Sequence, residues 1–192
     1  MNDFFLASNR TLTNQLGITV SQVTVKDLDH WSNQAEPIRK ALKKNYSDES
    51  LEAAIQLHKL QGLLLCELVI DRDLDFLTNL ISQDADQFIS LFKDVVQVNK
   101  AYFDQEEDSK KRKVDKSEST WFDSFQFLIS KGHIHSEIMN YTFGAYIEYL
   151  KAAQRNDRNS LLSMGNTVRV AYHADKNGFE KFANDLKNRD SR

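Results

Sequence analysis

The residues whose types and spacing come nearest to chemistry are His133 and His135, in the run His133-Ile134-His135-Ser136-Glu137. A His-x-His pair chelates a metal well from a strand, where alternate side chains share a face. At the start of a helix, positions i and i+2 diverge, and the sequence offers no nameable third ligand. The pair reads either as part of a metal-dependent enzyme or as two histidines that cap and pack in a turn. The second reading is preferred. Asp71, Asp73 and Asp75 alternate like the ligands of a calcium loop, but Phe76 stands where such a loop needs glycine. They read as helix N-terminal acids. There is no Gly-x-Ser-x-Gly, no phosphate-binding glycine loop and no His-Glu-x-x-His. Cys66 is the only cysteine, which excludes an intramolecular disulfide and a cysteine-based zinc site. Within Gly62-Leu63-Leu64-Leu65-Cys66-Glu67-Leu68-Val69-Ile70 it reads as a buried thiol. No catalytic residue, metal site or cofactor is therefore expected.

Two segments raise nucleic-acid readings. Lys110-Lys111-Arg112-Lys113-Val114 looks like a nuclear-import signal, but acidic residues on both sides make it an ordinary charged linker. A helix over Trp121–Ser130, a turn at Lys131-Gly132-His133 and a helix from Ser136 resemble a helix-turn-helix. The second helix, Glu137-Ile138-Met139-Asn140-Tyr141, is short and has no Arg or Lys for phosphates. A DNA-binding regulator stays open as a second reading, and a metal-dependent enzyme on His133 and His135 as a third.

The elements that must position these residues are helices. The chain has 192 residues, 41% of them hydrophobic, so a real core can form. A charged fraction of 28% with net charge −3 gives a hydrated surface without the basic excess of a dedicated nucleic-acid binder. One proline and six glycines favour long helices over a turn-rich β fold. The apolar run at 62–70 is too short to span a bilayer. The first residues lack the basic and apolar regions of a signal peptide, so a cytoplasmic protein is expected.

The fold class expected is all-α, a multi-helix bundle with one short N-terminal hairpin pairing Asp3–Ala7 with Ile18–Val23. Thr24 caps a helix whose apolar face is Leu28, Trp31, Ala35, Ile38 and Leu42, kinked or split near Pro37. Ser47 or Asp48 caps a long segment to Ile70 with Leu51, Ile55, Leu57, Leu60, Leu64 and Leu68 on its apolar side, and Gly62 as its weak point. Asp71 or Asp73 starts a short helix. Ser82 caps the next, with Phe88, Leu91, Phe92, Val95, Val96, Val98 and Phe103. Residues 105–119 are charged and polar, with Val114 alone apolar, and read as an exposed linker. A second set of helices follows from Ser119 or Thr120. The first ends at Gly132 in the C′ position, and the others span Ser136–Tyr141, Thr142–Arg155 and Asn159–Lys187, the last broken near Asn177-Gly178. The expected domains are 1–104, a linker at 105–119, and 120–192.

These segments resemble the tail assembly chaperones of long-tailed phages and prophages. Val23-Thr24-Val25-Lys26-Asp27-Leu28, followed by Ala35-Glu36-Pro37-Ile38, is similar to that family's opening helix. The segment from Phe88 to Phe103, with Val98-Asn99 and then Tyr102-Phe103, is similar to its closing segment. Trp121, Leu128-Ile129-Ser130-Lys131-Gly132-His133, Ile138, Tyr141-Thr142 and Arg155 are similar to an extension found in some members. The motifs are loose helix patterns that cover most of the chain from Val20 to Leu186.

The resemblance implies a non-enzymatic protein of the bacterial host cytoplasm that binds the tape measure protein, in several copies, with neither nucleic acid nor membrane as partner. It implies that the C-terminal half recruits tail tube protein. Exposed apolar helices aggregate, and a chaperone must cover them in grooves rimmed by polar groups. Phe88, Phe92, Trp121, Phe122, Phe125, Phe143, Tyr146 and Tyr149 are the candidate anchors, although each can equally serve the core. Tail chaperones are often made in two lengths by ribosomal frameshifting, and Lys110-Lys111 is where a slippery A-rich heptamer would decode.

Overall fold

The computed structural model describes the backbone of residues 11–105 and 120–189, and side chains through 184. The chain divides into two compact units, Met1–Tyr149 and Leu150–Arg192. Among the described residues the architecture is mainly α, with one two-stranded sheet. No helix among the described residues is long and apolar enough to cross a membrane.

The first unit begins with β1 (Leu12–Thr13) and β2 (Thr19–Val20), antiparallel with Leu12 opposite Val20. Asn14 closes the turn by accepting from the amides of Leu16 and Ile18, and Gly17 takes the positive φ that the reversal needs. The sequence predicts Asp3–Ala7 as the partner strand. In the structure Leu12–Thr13 holds that place, and Asp3–Ala7 lies outside the described residues. The hairpin does not stand alone. Ser21 N–H donates to the Val69 carbonyl, and Asp71 accepts from Thr19 N–H at 3.0 Å.

A 3-10 turn at Val25–Asp27 leads into α1 (Leu28–Leu42), whose buried face is the expected Leu28, Trp31, Ala35, Ile38 and Leu42. α1 continues through Pro37 without the expected split. Tertiary burial of residues on both sides of the proline outweighs the one hydrogen bond that it removes. The expected long helix to Ile70 is instead two, α2 (Asp48–Leu57) and α3 (Lys59–Glu67), parted at His58. Gly62 has another task. A Cβ there would stand 2.5 Å from Ile55 Cδ1, so the missing side chain is what lets α3 close against α2.

α4 (Leu74–Gln83) starts at Asp73, which accepts from Phe76 N–H, and α5 (Ala85–Val98) starts at Asp84 rather than at the expected Ser82. Asp84 wins because its carboxylate accepts from Gln87 N–H at 3.0 Å, satisfying a donor that the new helix leaves open. α5 buries Phe88, Leu91, Phe92, Val95, Val96 and Val98. α6 (Lys100–Phe103) carries Tyr102 and Phe103 edge-on to Trp31, with ring centroids 5.9 and 6.2 Å away.

α7 (Trp121–Ser130) starts with a capping box in which Thr120 and Asp123 satisfy each other's amides. Gly132 ends it with φ +96°. α8 (His135–Asn140) is six residues long. α9 (Phe143–His173) begins in the first unit and runs on through the second, where α10 (Lys176–Arg189) follows a break at Ala174-Asp175. The break expected near Asn177-Gly178 therefore comes earlier. There Asp175 caps α10 by accepting from Gly178 N–H.

The expected boundary between domains at 104 and 120 is displaced. Residues 120–149 belong to the first unit because the extended chain at 23–25 is shared. Val25 N–H donates to the Tyr141 carbonyl at 2.9 Å, and Phe143 N–H donates to the Val23 carbonyl at 2.8 Å. Tyr102 packs edge-on to Phe143 at 5.7 Å. Of the expected linker only Gln105 lies among the described residues below 120.

Candidate protein-binding groove

The extended segment is held from its other side by Asn99, at the end of α5. Asn99 Oδ1 accepts from Val23 N–H at 2.7 Å, and its Nδ2 donates to the carbonyls of Ser21 and Val95, each at 3.1 Å. Asn99 is buried, so each of these bonds replaces one to water. The Val98-Asn99 and Tyr102-Phe103 residues noted in the sequence are thus structural: the asparagine staples the backbone, and the aromatic pair packs on Trp31.

The consequence is a groove in the first unit. Val25, Leu28, Tyr102 and Phe143 form its floor, and Trp121, Phe125 and Met139 its far wall, around a space of about 470 Å³. Lys26, Asp29, Ser32 and Gln105 make a polar rim. The aromatic wall is continuous. Trp121 lies 6.2 Å from Phe125 and 6.0 Å from Tyr146, and Phe122 meets Phe125 edge-on. The capping box explains why Trp121 stands here, since it fixes the first turn of α7 and with it the direction of the first two side chains. Trp121 is 51% exposed and Phe122 is 76% exposed.

The eight aromatic candidates fall into two groups. Phe88, Phe92, Phe143 and Tyr146 are buried, so their work is packing, although Phe143 also reaches the groove floor. Trp121, Phe122, Phe125 and Tyr149 stand at the surface or partly so, and three of them gather on α7. Periodicity could not divide them, because α5 and α7 are both amphipathic. Leu57 and Leu60, expected in the core, are 71% and 60% exposed. Both flank the break at His58 and face solvent. Sequence reading missed Met139, Val25 and Leu28 as groove residues, since nothing local marks an apolar residue as lining a cleft.

The polar candidates are engaged elsewhere. His133 Nδ1 lies 3.0 Å from the Tyr141 hydroxyl, and its ring packs against Tyr149. His135 meets the edge of Phe125 instead. Among the described residues no three His, Cys, Asp or Glu side chains are grouped to hold a metal. α8, in the place of a recognition helix, carries neither Lys nor Arg. Burial pushes the Cys66 thiol well above its ordinary value, away from the nucleophilic thiolate. Tyr102 is pushed up to about 12, chiefly by burial.

Compared with family models, curated proteins and solved structures, the chain finds no match.

Proposed function

We propose that this chain is a tail assembly chaperone of a long-tailed phage or prophage, which holds apolar helices of a tape measure protein in the groove of its first unit. One observation carries the reading: an apolar cleft walled by Trp121 and Phe125, with Phe122 beside it, left open to solvent inside a polar rim. That is the form helix-in-groove recognition needs. Covering Trp121 and Phe122 with an apolar partner is worth about 1–2 kcal/mol each, enough for two anchors to dominate such an interface. The sequence resemblance supports the identity of the client, and the groove supports the mode. The protein acts by binding, without turnover, in the bacterial cytoplasm. Residues beyond 120 recruit the tail tube protein.

The test is co-expression of the full chain with the tape measure protein of the same gene cluster. Wild type keeps the client soluble. Trp121→Asp and Phe122→Asp, both at exposed positions, lose this while keeping wild-type helicity. Client solubility that does not depend on the chain would refute the reading. For the second partner, the full chain retains tail tube protein on a column and Phe179→Asp weakens retention. Equal retention by both would refute that part.

A further inference from the structure

Asn177-Gly178 is the only Asn-Gly pair in the chain, and it stands in the first turn of α10, in the second unit. An asparagine followed by glycine can modify itself. The Gly178 backbone nitrogen attacks Asn177 Cγ, and the new C–N bond closes a five-membered succinimide. The side-chain nitrogen leaves as ammonia, carrying the proton that the backbone nitrogen gives up. Water then opens the ring at either carbonyl. One product has an aspartate at position 177. The other is an isoaspartate, in which the main chain runs through the former side chain and is one carbon longer. Water is the only co-reactant. Glycine favours the step because no side chain shields its nitrogen.

The fold holds this nucleophile. Asp175 Oδ1 accepts from Gly178 N–H at 2.8 Å, and the Asp175 carbonyl accepts from Phe179 N–H at 3.0 Å, the first bond of the helix. Ring closure also needs a main-chain rotation at Asn177 that helical geometry forbids. The cap and the reactive pair are linked. A Cβ at 178 would stand 3.2 Å from Asp175 Oδ1, tighter than ordinary packing. The residue that makes room for the cap is therefore the one that makes Asn177 labile.

The hold is weak. α10 has 14 residues, in the range where a helix is marginal in water. Every residue from Ala174 to Lys181 is exposed, Asn177 included, and only Phe182 and Ala183 are partly buried among the described side chains of α10. Glycine in the first turn lowers the helical preference further. A helix end of this kind opens locally while the rest of its unit stays folded.

We propose that Asn177 is a self-modification site whose rate is set by opening of the first turn of α10, with Asp175 as the latch. The native rate is the unfolded chain's rate multiplied by the fraction of time that the turn is open. The isoaspartate product does not re-form the turn, because the added carbon displaces Gly178 N–H from its acceptor. Opening then becomes permanent, and a new negative charge stays at the start of α10. The inference concerns the second unit alone and does not depend on the chaperone reading.

The experiment is incubation of the full chain at neutral and mildly alkaline pH, followed by digestion and mass spectrometry of the peptide that contains Asn177. Isoaspartate is identified by enzymatic methylation. The same chain in concentrated urea gives the unfolded rate. Wild type converts at Asn177 several times more slowly than in urea, yet faster than at Asn159 or Asn166 inside α9. Asp175→Ala raises the native rate about threefold to fivefold, the effect of losing an ordinary cap, and leaves the rate in urea unchanged. Asp175→Asn caps as well as the wild type and keeps its slow rate, which separates the latch from the carboxylate charge. A native rate equal to that in urea overturns the proposal. So does a native chain that stays unconverted at Asn177 while the unfolded chain goes to completion. An Asp175→Ala rate equal to wild type, or an Asp175→Asn rate equal to Asp175→Ala, overturns the role of the latch and the proposal with it.

Discussion

Replacing Asn99 by alanine tests the central joint of the first unit. Three things change. Val23 N–H, buried in the wild type, loses its acceptor at 2.7 Å. The Ser21 carbonyl loses its donor at 3.1 Å. The Val95 carbonyl keeps a partner, because the backbone N–H of residue 99 also donates to it at 3.1 Å. One orphaned buried donor costs about 1–3 kcal/mol, and one part-buried bond adds roughly 1 kcal/mol. Asn99→Ala should therefore lower the unfolding free energy by about 2–4 kcal/mol, a large share of the ~5–15 kcal/mol typical of a domain. The assay is urea unfolding followed by far-ultraviolet circular dichroism, with hydrogen exchange at Val23 as the local probe. That amide should exchange far faster in the variant. Asn99→Asp retains the acceptor but brings a buried charge and removes both donors, so it should be no better at neutral pH. A stability within about 0.5 kcal/mol of wild type, the ordinary scatter of surface changes, would refute the idea that this side chain holds the extended segment in place.

Two further predictions concern packing and pH. Gly62→Ala sets the ~1 kcal/mol helix propensity of alanine against a methyl forced onto Ile55 Cδ1, the far end of a buried side chain, so the gain in stability should be lost, and Ile55→Val, which removes that atom, should let it reappear in a thermal melt of the double variant. An additive pair would count against the contact. The hydrogen bond from Arg39, followed by the Coulombic attraction of Arg39 and Lys40, holds the Glu36 carboxyl below its ordinary 4.5 in spite of partial burial. Its stabilising effect is then complete above that value and fades as pH falls through the lower folded value. The gap between wild type and Glu36→Gln in urea midpoints should be open at pH 6 and should narrow towards pH 3. A gap that widens in acid would reverse the assignment.

The aromatic segment around Val98-Asn99 and Tyr102-Phe103 shows how a loose sequence pattern and a candidate binding surface can be one step apart. None of these four residues needs to touch a partner for the groove to exist. Asn99 fixes the chain at 21–23, and Trp31, Tyr102 and Phe103 lock edge to face behind it. The surface they support is built largely from other residues, Val25, Leu28, Trp121, Phe125 and Met139, with Tyr102 itself on its floor. Substitutions in the supporting set should therefore change stability first, and those at Trp121 or Phe122 should change binding while the fold stays intact.

Much of the helical content was legible in the chain itself, because amphipathic spacing and capping are local properties. The buried face of α1, the buried face of α5, the cap at Thr120 and the left-handed Gly132 follow from residues a few positions apart. What depended on residues far apart could not be read that way. Gly62 looked like a helix breaker and is a packing gap for Ile55, while the break falls at His58, flanked by Leu57 and Leu60 facing solvent. Phe88 and Phe122 carry the same side chain on similarly amphipathic helices, yet one is buried and the other is 76% exposed. The reason is physical. A helix's own sequence sets which of its faces is apolar, through spacing alone. Whether that face is covered depends on which other elements reach it: α4, α2 and α3 pack on α5, whereas Phe122 on α7 is left at the surface.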